Sequence, residues 1–305
     1  MKLLLILILL TLNILAKELI FPIDKEIIYN KEKAKLGKKL FHENKLSKDN
    51  TISCASCHII ADGGDDNRQF AVGVGNKTGN MNSPTVLNSK YNLAQFWDGR
   101  AKDLKEQASG PIHNPIEMAT NIEDVVKKLK KDKEYPALFQ AIYKDGITKN
   151  NVIDAIVEFE NALITPNSRF DKFLLGEKDI LTQEEKDGFK LFKDIGCISC
   201  HNGVNIGGNL YQKMGIIKRY KSKVHNLGRY EVTKDEEDKY FYKVPTLRNI
   251  ELTAPYLHDG SRVSLKEAVK IMAEYQVGII LEESEVEKLV KFLKTLSGEQ
   301  PKVMD

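Results

Sequence analysis

The chain has 305 residues, of which 42% are hydrophobic and 29% charged, and this composition suits a soluble globular protein of about two domains. Its 46 basic and 43 acidic residues give a formal net charge of +3, and that balance gives no reason to expect nucleic acid as a partner.

The first 16 residues, MKLLLILILLTLNILA, carry one lysine, then an apolar run, then a small residue at Ala16. This is the pattern of a cleaved secretory signal peptide. A membrane anchor is the alternative, but the apolar run of about 14 residues is shorter than the roughly 20 residues that a spanning helix needs. We therefore predict an exported, periplasmic protein with no stable membrane insertion.

Residues 31–42 are predicted to form a helix that leads to the stretch SCASCH at residues 53–58. A second stretch of this kind, GCISCH, occupies residues 196–201. The two CxxCH motifs use every cysteine in the sequence, and they consist of Cys54, Cys57, His58, Cys197, Cys200 and His201.

Four explanations compete for these motifs. A disulfide, which export permits, needs no histidine at a fixed offset, and a thioredoxin-like CxxC needs a strand–helix context that the flanking sequence lacks. A Cys₄ zinc site usually places its two halves about 12–20 residues apart, far closer than these motifs lie. Covalent c-type haem attachment accounts for the histidine, because two thiols bind the haem vinyl groups and the adjacent imidazole reaches the iron. We therefore predict two covalently bound haem c groups, with His58 and His201 as proximal ligands.

The sequence between the motifs divides into an irregular and a helical part. Residues 61–121 are rich in Gly, Asn, Asp and Pro without a clear period, and we expect a large cofactor to order them. Helices are predicted at 122–131 and 150–164 from the spacing of apolar residues. The break in this pattern near residue 165 predicts two domains, 17–165 and 166–305.

In the second half, three capping boxes predict helix starts: Thr182 with Glu185, Ser264 with Glu267, and Ser284 with Glu287. The last two are predicted to begin helices at roughly 265–275 and 285–297. The strand signal is weak throughout, so the fold is predicted to be mainly α.

Each haem iron has a sixth position, where a thioether gives an electron-transfer haem and an open position admits a small ligand. Met214 and Met272 are the two methionines that lie downstream of the second motif and before the end of the chain. Met272 lies on an apolar helical stripe, so spacing alone leaves open whether it is a ligand or fills the core.

Two longer stretches strongly resemble the bacterial di-haem cytochrome c peroxidase family: NSPTVLNSKYNLAQFWDGRAKDLKEQASGPIHNPIEM (82–118) and VPTLRNIELTAPYLHDGS (244–261). The resemblance covers nearly all of the chain after the signal peptide. It implies two cytochrome c-like domains, each with one covalent haem, packed across an inter-domain interface. It also implies that Met272, fourteen residues after His258, is the sixth ligand of the C-terminal, electron-transferring haem.

The same resemblance implies that the haem at His58 is the one where hydrogen peroxide is reduced. The family's active-site glutamate matches Glu117 and its glutamine matches Gln107. Glu117 would move a proton between the two peroxide oxygens as a general acid–base group, and Gln107 would orient the peroxide. The tryptophan that lies between the family's haems matches Trp97, the only tryptophan of this sequence.

Further expectations follow from the family alone. Its calcium ion at the domain interface would have Asn82, Thr253 and Pro255 as protein ligands, the last two through their backbone carbonyls. Its electron donors imply a small c-type cytochrome or a copper protein as partner. Family members are commonly homodimers, which makes a homodimer the expected assembly.

One position departs from the family pattern. In many members a histidine caps the N-terminal iron in the oxidised state and leaves when the other haem is reduced, but the matching position here is Val74. We therefore expect this iron to be open or water-bound even when both haems are ferric. His113 in the nearby loop is the candidate for a substitute ligand.

Two rival functions remain at this point. A non-enzymatic di-haem electron carrier would have two six-coordinate irons and no peroxide chemistry. A di-haem enzyme that oxidises residues of a partner protein is also similar to this family, but it has a tyrosine where Met272 stands here. The absence of the capping histidine slightly favours this second rival, whereas Met272 argues against it.

Overall fold

The computed structural model describes residues 19–304, so the predicted signal peptide at 1–16 lies outside the described residues. In this part of the chain the fold is mainly helical, as predicted, and has one short sheet. Its helices are α1 Lys31–Phe41, α2 Leu104–His113, α3 Ile122–Lys130, α4 Tyr135–Ile142, α5 Lys149–Asn161, α6 Arg169–Leu174, α7 Gln183–Asp194, α8 Tyr230–Thr233, α9 Leu265–Met272 and α10 Glu283–Lys294. Strands β1 Tyr211–Lys213 and β2 Phe241–Lys243 are antiparallel, with Tyr211 opposite Lys243. Among these residues we find no helix that is long and apolar enough to cross a membrane.

Each half is built on one tightly packed helix pair with a glycine at the crossing. In the first half α1 packs on α5, and a Cβ at Gly37 would lie 1.9 Å from the Ala155 carbonyl oxygen. In the second half α7 packs on α10, and a Cβ at Gly188 would lie 2.1 Å from the Lys288 carbonyl oxygen. Both distances are far below van der Waals contact, so any larger residue would separate the helices. Both halves therefore pack a pair of helices at a glycine. In the sequence, each of these glycines is an isolated residue without a pattern around it.

The predicted helices agree with the structure better than their predicted caps do. The helices predicted at 31–42, 122–131 and 150–164 are confirmed as α1, α3 and α5. Of the three capping boxes, the one between Thr182 and Glu185 is confirmed. The box predicted at Ser264 is wrong, because that side chain makes no cap hydrogen bond. The box predicted at Ser284 is also wrong, since Glu282 and Glu285 form it two residues earlier.

The stretch predicted to be irregular contains a regular helix. α2 begins after Asp103, whose side chain accepts a hydrogen bond from the Glu106 backbone N–H. Its sequence LKEQASGPIH includes Gly110 and Pro111, two residues that lower helix propensity and hid the helix from the pattern.

The two ends of the described chain each pack against the opposite half of the protein. Ile20 is buried in the core of the C-terminal half, where it pairs with Gly203. At the other end, Val303 and Met304 pack against the N-terminal half, and the Lys38 ammonium donates to the Met304 carbonyl. The proposed boundary at residue 165 stays a prediction, and these crossings tie the two halves together.

A buried ion pair holds the C-terminal half together. Arg248 and Asp171 are 2.9 Å apart, with side chains that are 0% and 1% exposed. The same guanidinium donates to the carbonyl oxygens of Val204 and Phe21, at 2.6 and 3.0 Å. The pair therefore connects α6, the second CxxCH segment and the first described residues.

Replacing one partner of this pair should destabilise the protein strongly. We expect Arg248→Met to lower the free energy of unfolding by about 3–5 kcal/mol, because it leaves a buried carboxylate without its cation. Asp194→Asn, which breaks an exposed pair with Lys190, should leave the free energy of unfolding nearly unchanged, because water screens that pair. Denaturant unfolding of the haem-loaded protein measures both, and equal losses would contradict the structural role of the buried pair.

Candidate haem sites

The first CxxCH motif forms a tight turn that presents its histidine ring. The backbone N–H groups of Cys57 and His58 both donate to the Cys54 carbonyl, at 3.1 Å each. His58 Nδ1 lies 3.1 Å from the Gly64 carbonyl oxygen. Because that oxygen can only accept, Nδ1 carries the proton and Nε2 is left with its lone pair. Burial lowers the pKa of His58 to about 4, so the ring is neutral and suited to bind a metal at neutral pH.

The second motif repeats this geometry. The N–H groups of Cys200 and His201 donate to the Cys197 carbonyl, at 3.2 and 3.0 Å. His201 Nδ1 lies 3.4 Å from the Ile206 carbonyl oxygen, and burial lowers the pKa of this ring to about 4 as well. Two neutral imidazoles with fixed tautomers, each beside two thiols, have the donor set that haem c requires.

A large apolar cavity of about 570 Å³ adjoins the second motif. Cys197, Cys200 and His201 line it, and so do both candidate methionines, Met214 and Met272. Met272 ends α9, and the chain continues from it as a π-helical turn, Ala273–Val277. Such turns are rare and occur often at functional sites. The cavity fits a haem, and the structure brings Met272 and His201 to the same space.

Glu117 lies close to the first motif, in the turn that follows α2. Its carboxylate accepts a hydrogen bond from Asn114 Nδ2 at 2.5 Å. Burial raises the pKa of Glu117, while Arg100 and the Asn114 hydrogen bond partly oppose that rise. Burial is also the main cause of the raised pKa of the Cys54 and Cys57 thiols, and the Glu117 charge adds to it, which places the carboxylate within electrostatic reach of both.

The loop that carries Val74 is bonded directly to the Glu117 segment. The Val74 N–H donates to the Glu117 carbonyl at 2.8 Å. A Cβ at Gly73 would lie 2.2 Å from the Ile116 carbonyl oxygen, so only glycine permits this approach. The structure therefore brings together Val74 and Glu117, two residues that the sequence pointed to separately.

The other two candidates from this region differ in environment. Gln107 lies on α2, and its Oε1 is buried with no hydrogen-bond partner among the described residues, as expected of a group that awaits a ligand. His113 is exposed at the end of α2, and its Nδ1 is 2.8 Å from the Ser109 carbonyl oxygen. This position gives no support to His113 as a substitute iron ligand.

Trp97 lies at the edge of the C-terminal cavity. Its Nε1 donates to the Asn82 carbonyl at 2.9 Å, and its ring stands edge-on to His258 with centroids 6.3 Å apart.

The predicted calcium ligands Asn82, Thr253 and Pro255 line the same C-terminal cavity. No cluster of three or more His, Cys, Asp or Glu side chains suited to a metal occurs in residues 19–304. The predicted calcium site uses amide and carbonyl oxygens, so that finding leaves it a prediction.

Several buried polar groups near these sites escaped the sequence analysis. Lys243 is 5% exposed and Asp65 is 1% exposed, and both line the C-terminal cavity. Glu160 is 4% exposed on α5, and its Oε2 has no hydrogen-bond partner in the described part of the chain. The only sequence signal was a charged residue inside an apolar run, such as the lysine of YFYKVP, and that signal does not distinguish a buried from a solvated charge.

Comparison with known proteins agrees with this geometry. A sequence model described as di-haem cytochrome c peroxidase matches residues 31–179, and one described as cytochrome c matches residues 185–297. Cytochrome c551 peroxidase of Nitrosomonas europaea is 49% identical over 94% of this chain and 86% of its own. Cytochrome c551 peroxidase of Pseudomonas aeruginosa is 44% identical over 90% of this chain and 81% of its own. A crystal structure of a MauG-like protein associated with microbial copper homeostasis superposes with a TM-score of 0.82 at 27% identity, covering 93% of this chain and 94% of that one.

These similarities confirm the resemblance that the motifs indicated, including the two cytochrome c-like domains. Since the identity to the curated relatives extends over nine-tenths or more of the chain, the protein belongs to the di-haem cytochrome c peroxidase family.

Proposed function

We propose that this protein is a di-haem cytochrome c peroxidase that reduces hydrogen peroxide to water with electrons from a small redox protein. The observation that carries the proposal is the contrast between the two CxxCH sites. The first has a half-buried carboxyl, Glu117, held by the Val74 loop, whereas the second opens on a cavity lined by Met272. The test is peroxide-dependent oxidation of a reduced small c-type cytochrome, and a protein that binds two haems without this activity would refute the proposal.

The residues present fit two haem c groups. Cys54, Cys57 and His58 would hold the first, and Cys197, Cys200, His201 and Met272 would hold the second. When bound, the haems supply the redox chemistry: one is the site of peroxide reduction and the other passes on single electrons.

The proton chemistry falls to Glu117. Peroxide reduction requires a proton to leave one oxygen and reach the other, and a single carboxyl within hydrogen-bond reach of both oxygens can do this. The raised pKa of Glu117 makes its carboxylate a stronger base than that of an ordinary glutamate, which suits a group that must both accept and return a proton. Asn114 Nδ2 orients the carboxylate, and the unpaired Oε1 of Gln107 is available to accept a hydrogen bond from the peroxide.

Trp97 would connect the two halves. Its ring touches the C-terminal cavity, and its indole N–H is fixed by the Asn82 carbonyl. A rigid aromatic ring in this place supports the expected role between the haems.

Met272 would bind the second haem through its thioether, and a matched variant tests this. A thioether ligand raises the reduction potential, so Met272→Ala should lower the potential of the C-terminal haem. Met214→Ala removes the other methionine of the same cavity and should leave that potential nearly unchanged. A spectroscopic redox titration of the two haems gives both values, and the reverse order of effects would assign Met214 instead.

A calcium ion at Asn82, Thr253 and Pro255 is also proposed. Asn82 Nδ2 donates to the Arg68 carbonyl, which leaves Oδ1 as the amide atom for a cation. Within residues 19–304, Asp65 Oδ1 is buried in the same cavity without a hydrogen-bond partner, and burial, with the nearby Asp66 charge, raises the pKa of Asp65 to about 7. A cation nearby would stabilise this carboxylate. Metal analysis of protein purified with calcium tests the site, and absence of bound calcium would remove it.

We also propose a location, an electron donor and an assembly for this protein. Export by the signal peptide at 1–16 would place the protein in the periplasm, where a small c-type cytochrome or copper protein is the electron donor and a homodimer is the expected assembly. N-terminal sequencing of the mature protein, donor oxidation assays and sedimentation each test one of these statements. A mature chain that still begins at Met1, no electron transfer from either donor class, or a monomer in solution would refute them in turn.

A further inference from the structure

The unexplained feature of the C-terminal cavity is a buried lysine. Lys243 ends β2 and is only 5% exposed. Its backbone is fixed, since its N–H donates to the Trp97 carbonyl at 2.7 Å and Tyr211 lies opposite it in the sheet. Its ammonium group has no carboxylate partner and no hydrogen-bond acceptor in the part of the chain that the structure describes.

An isolated buried charge of this kind is unfavourable. Burial alone lowers the pKa of Lys243 to about 8, and no acidic group offsets that effect. Proteins normally pair such a charge with an anion. The lysine therefore requires either a neutral state or an anion that the polypeptide itself does not supply.

The cavity determines which anion is available. Lys243 lines the same 570 Å³ space as Cys197, Cys200 and His201, and among the described lining residues it is the only Lys or Arg. A haem attached to these cysteines brings two propionate carboxylates into this space. A propionate is thus the anion that enters the cavity with the cofactor.

We propose that the Lys243 ammonium binds a propionate of the C-terminal haem and so raises the reduction potential of that haem. The inference rests on haem attachment at Cys197 and Cys200, and it holds whether or not the protein reduces peroxide. A cation fixed in a low-dielectric cavity favours the reduced haem, which carries one positive charge fewer than the oxidised haem. Since the Lys243 backbone is bonded to Trp97, the same residue connects this haem to the proposed inter-haem tryptophan.

The test is a spectroscopic redox titration of the haem-loaded protein in three variants. Lys243→Met removes the charge and keeps an unbranched side chain, and it should shift the reduction equilibrium of the C-terminal haem about tenfold toward the oxidised state, which is 59 mV for one electron. Lys213→Met is the matched control, because Lys213 is exposed on strand β1 of the same sheet and water screens its charge. Lys243→Arg keeps the charge and should retain most of the wild-type potential.

These variants distinguish loss of the contact between Lys243 and the propionate from a general loss of positive charge. Equal shifts in Lys243→Met and Lys213→Met would overturn the proposal, and so would no shift in either. If Lys243→Met fails to fold, Lys243→Arg still decides, because a guanidinium binds a carboxylate through two hydrogen bonds where an ammonium binds as a point charge. Redox-difference infrared spectra should then show a displaced propionate carboxylate band, and a band identical to wild type would refute the contact. Peroxide turnover is measured separately, so failure of this proposal is distinguishable from failure of the enzymatic one.

Discussion

The Glu117→Gln variant is expected to bind both haems and to lose peroxide turnover by roughly 10²–10⁴-fold, the usual contribution of a positioned acid–base group. The substitution keeps the shape of the side chain and its ability to bond with Asn114, but it removes the exchangeable carboxyl proton. Haem attachment should be unaffected, because Glu117 is not part of either CxxCH motif. Steady-state oxidation of a reduced c-type cytochrome, together with haem content per chain, measures both statements.

The matched control for this variant is Glu177→Gln. Glu177 is exposed after α6, and its carboxylate makes no hydrogen bond or ion pair among residues 19–304, so turnover should remain within twofold of wild type. Wild-type turnover in Glu117→Gln would remove this residue from the mechanism. Loss of haem in that variant would instead assign Glu117 a structural role.

The pH dependence of turnover is a second test of the role of Glu117. Burial raises the pKa of Glu117, so its carboxyl becomes protonated at a higher pH than an ordinary glutamate. A base must be ionised to accept a proton, and the turnover rate should therefore fall as the pH drops through this raised value. Glu117→Gln should abolish that acidic limb, which a pH profile of kcat/KM of both proteins would reveal.

The sequence predicted the centres of these sites because their chemistry requires fixed spacing. A CxxCH motif specifies its thiols and imidazole locally, and the structure places each histidine ring as the motif implies. The helices α1, α3 and α5 were predictable for a similar reason, since each buries a stripe of apolar residues on one face.

The features that the sequence did not predict depend on contacts between segments that are far apart along the chain. The π-helical turn after Met272 has no sequence pattern of its own. Lys243 is spaced like any strand residue, and only the fold shows that it is buried and lines a cavity, with no partner for its ammonium among residues 19–304. The bond between the Val74 loop and Glu117 joins residues 43 positions apart and depends on a glycine that looks like an ordinary loop residue.

The hydrogen bond between the Val74 N–H and the Glu117 carbonyl also bears on the resting state of the enzyme, where we expect a second large effect. Residues 71–79 form a closed loop in which Val72 pairs with Thr78, and its tip contains Gly75 with a φ of 68°. The loop holds the backbone of residue 74 beside the Glu117 segment, and a valine at this position has no group that can bind iron. We expect the fully oxidised wild-type protein to show a high-spin ferric signal and to react with peroxide at once.

Val74→His should convert this protein into one that needs reduction first. If the introduced imidazole occupies the N-terminal iron about 99% of the time, the reaction of the fully oxidised protein with peroxide should slow roughly 100-fold. Half-reduced Val74→His should recover, as the electron from the second haem releases the ligand. Val74→Leu is the control, because it fills the same place without a metal ligand and should stay fast.

Stopped-flow mixing of peroxide with fully oxidised and half-reduced protein measures all three proteins side by side, and electron paramagnetic resonance reports their spin states. We expect wild type and Val74→Leu to be high-spin and fast in both states, and Val74→His to be low-spin and fast only when half-reduced. Two low-spin haems in oxidised wild type would mean that another side chain binds this iron. Because His113 is exposed and bonded to its own helix, such a ligand would require the α2 terminus to rearrange, and a His113→Gln variant that becomes high-spin would demonstrate it.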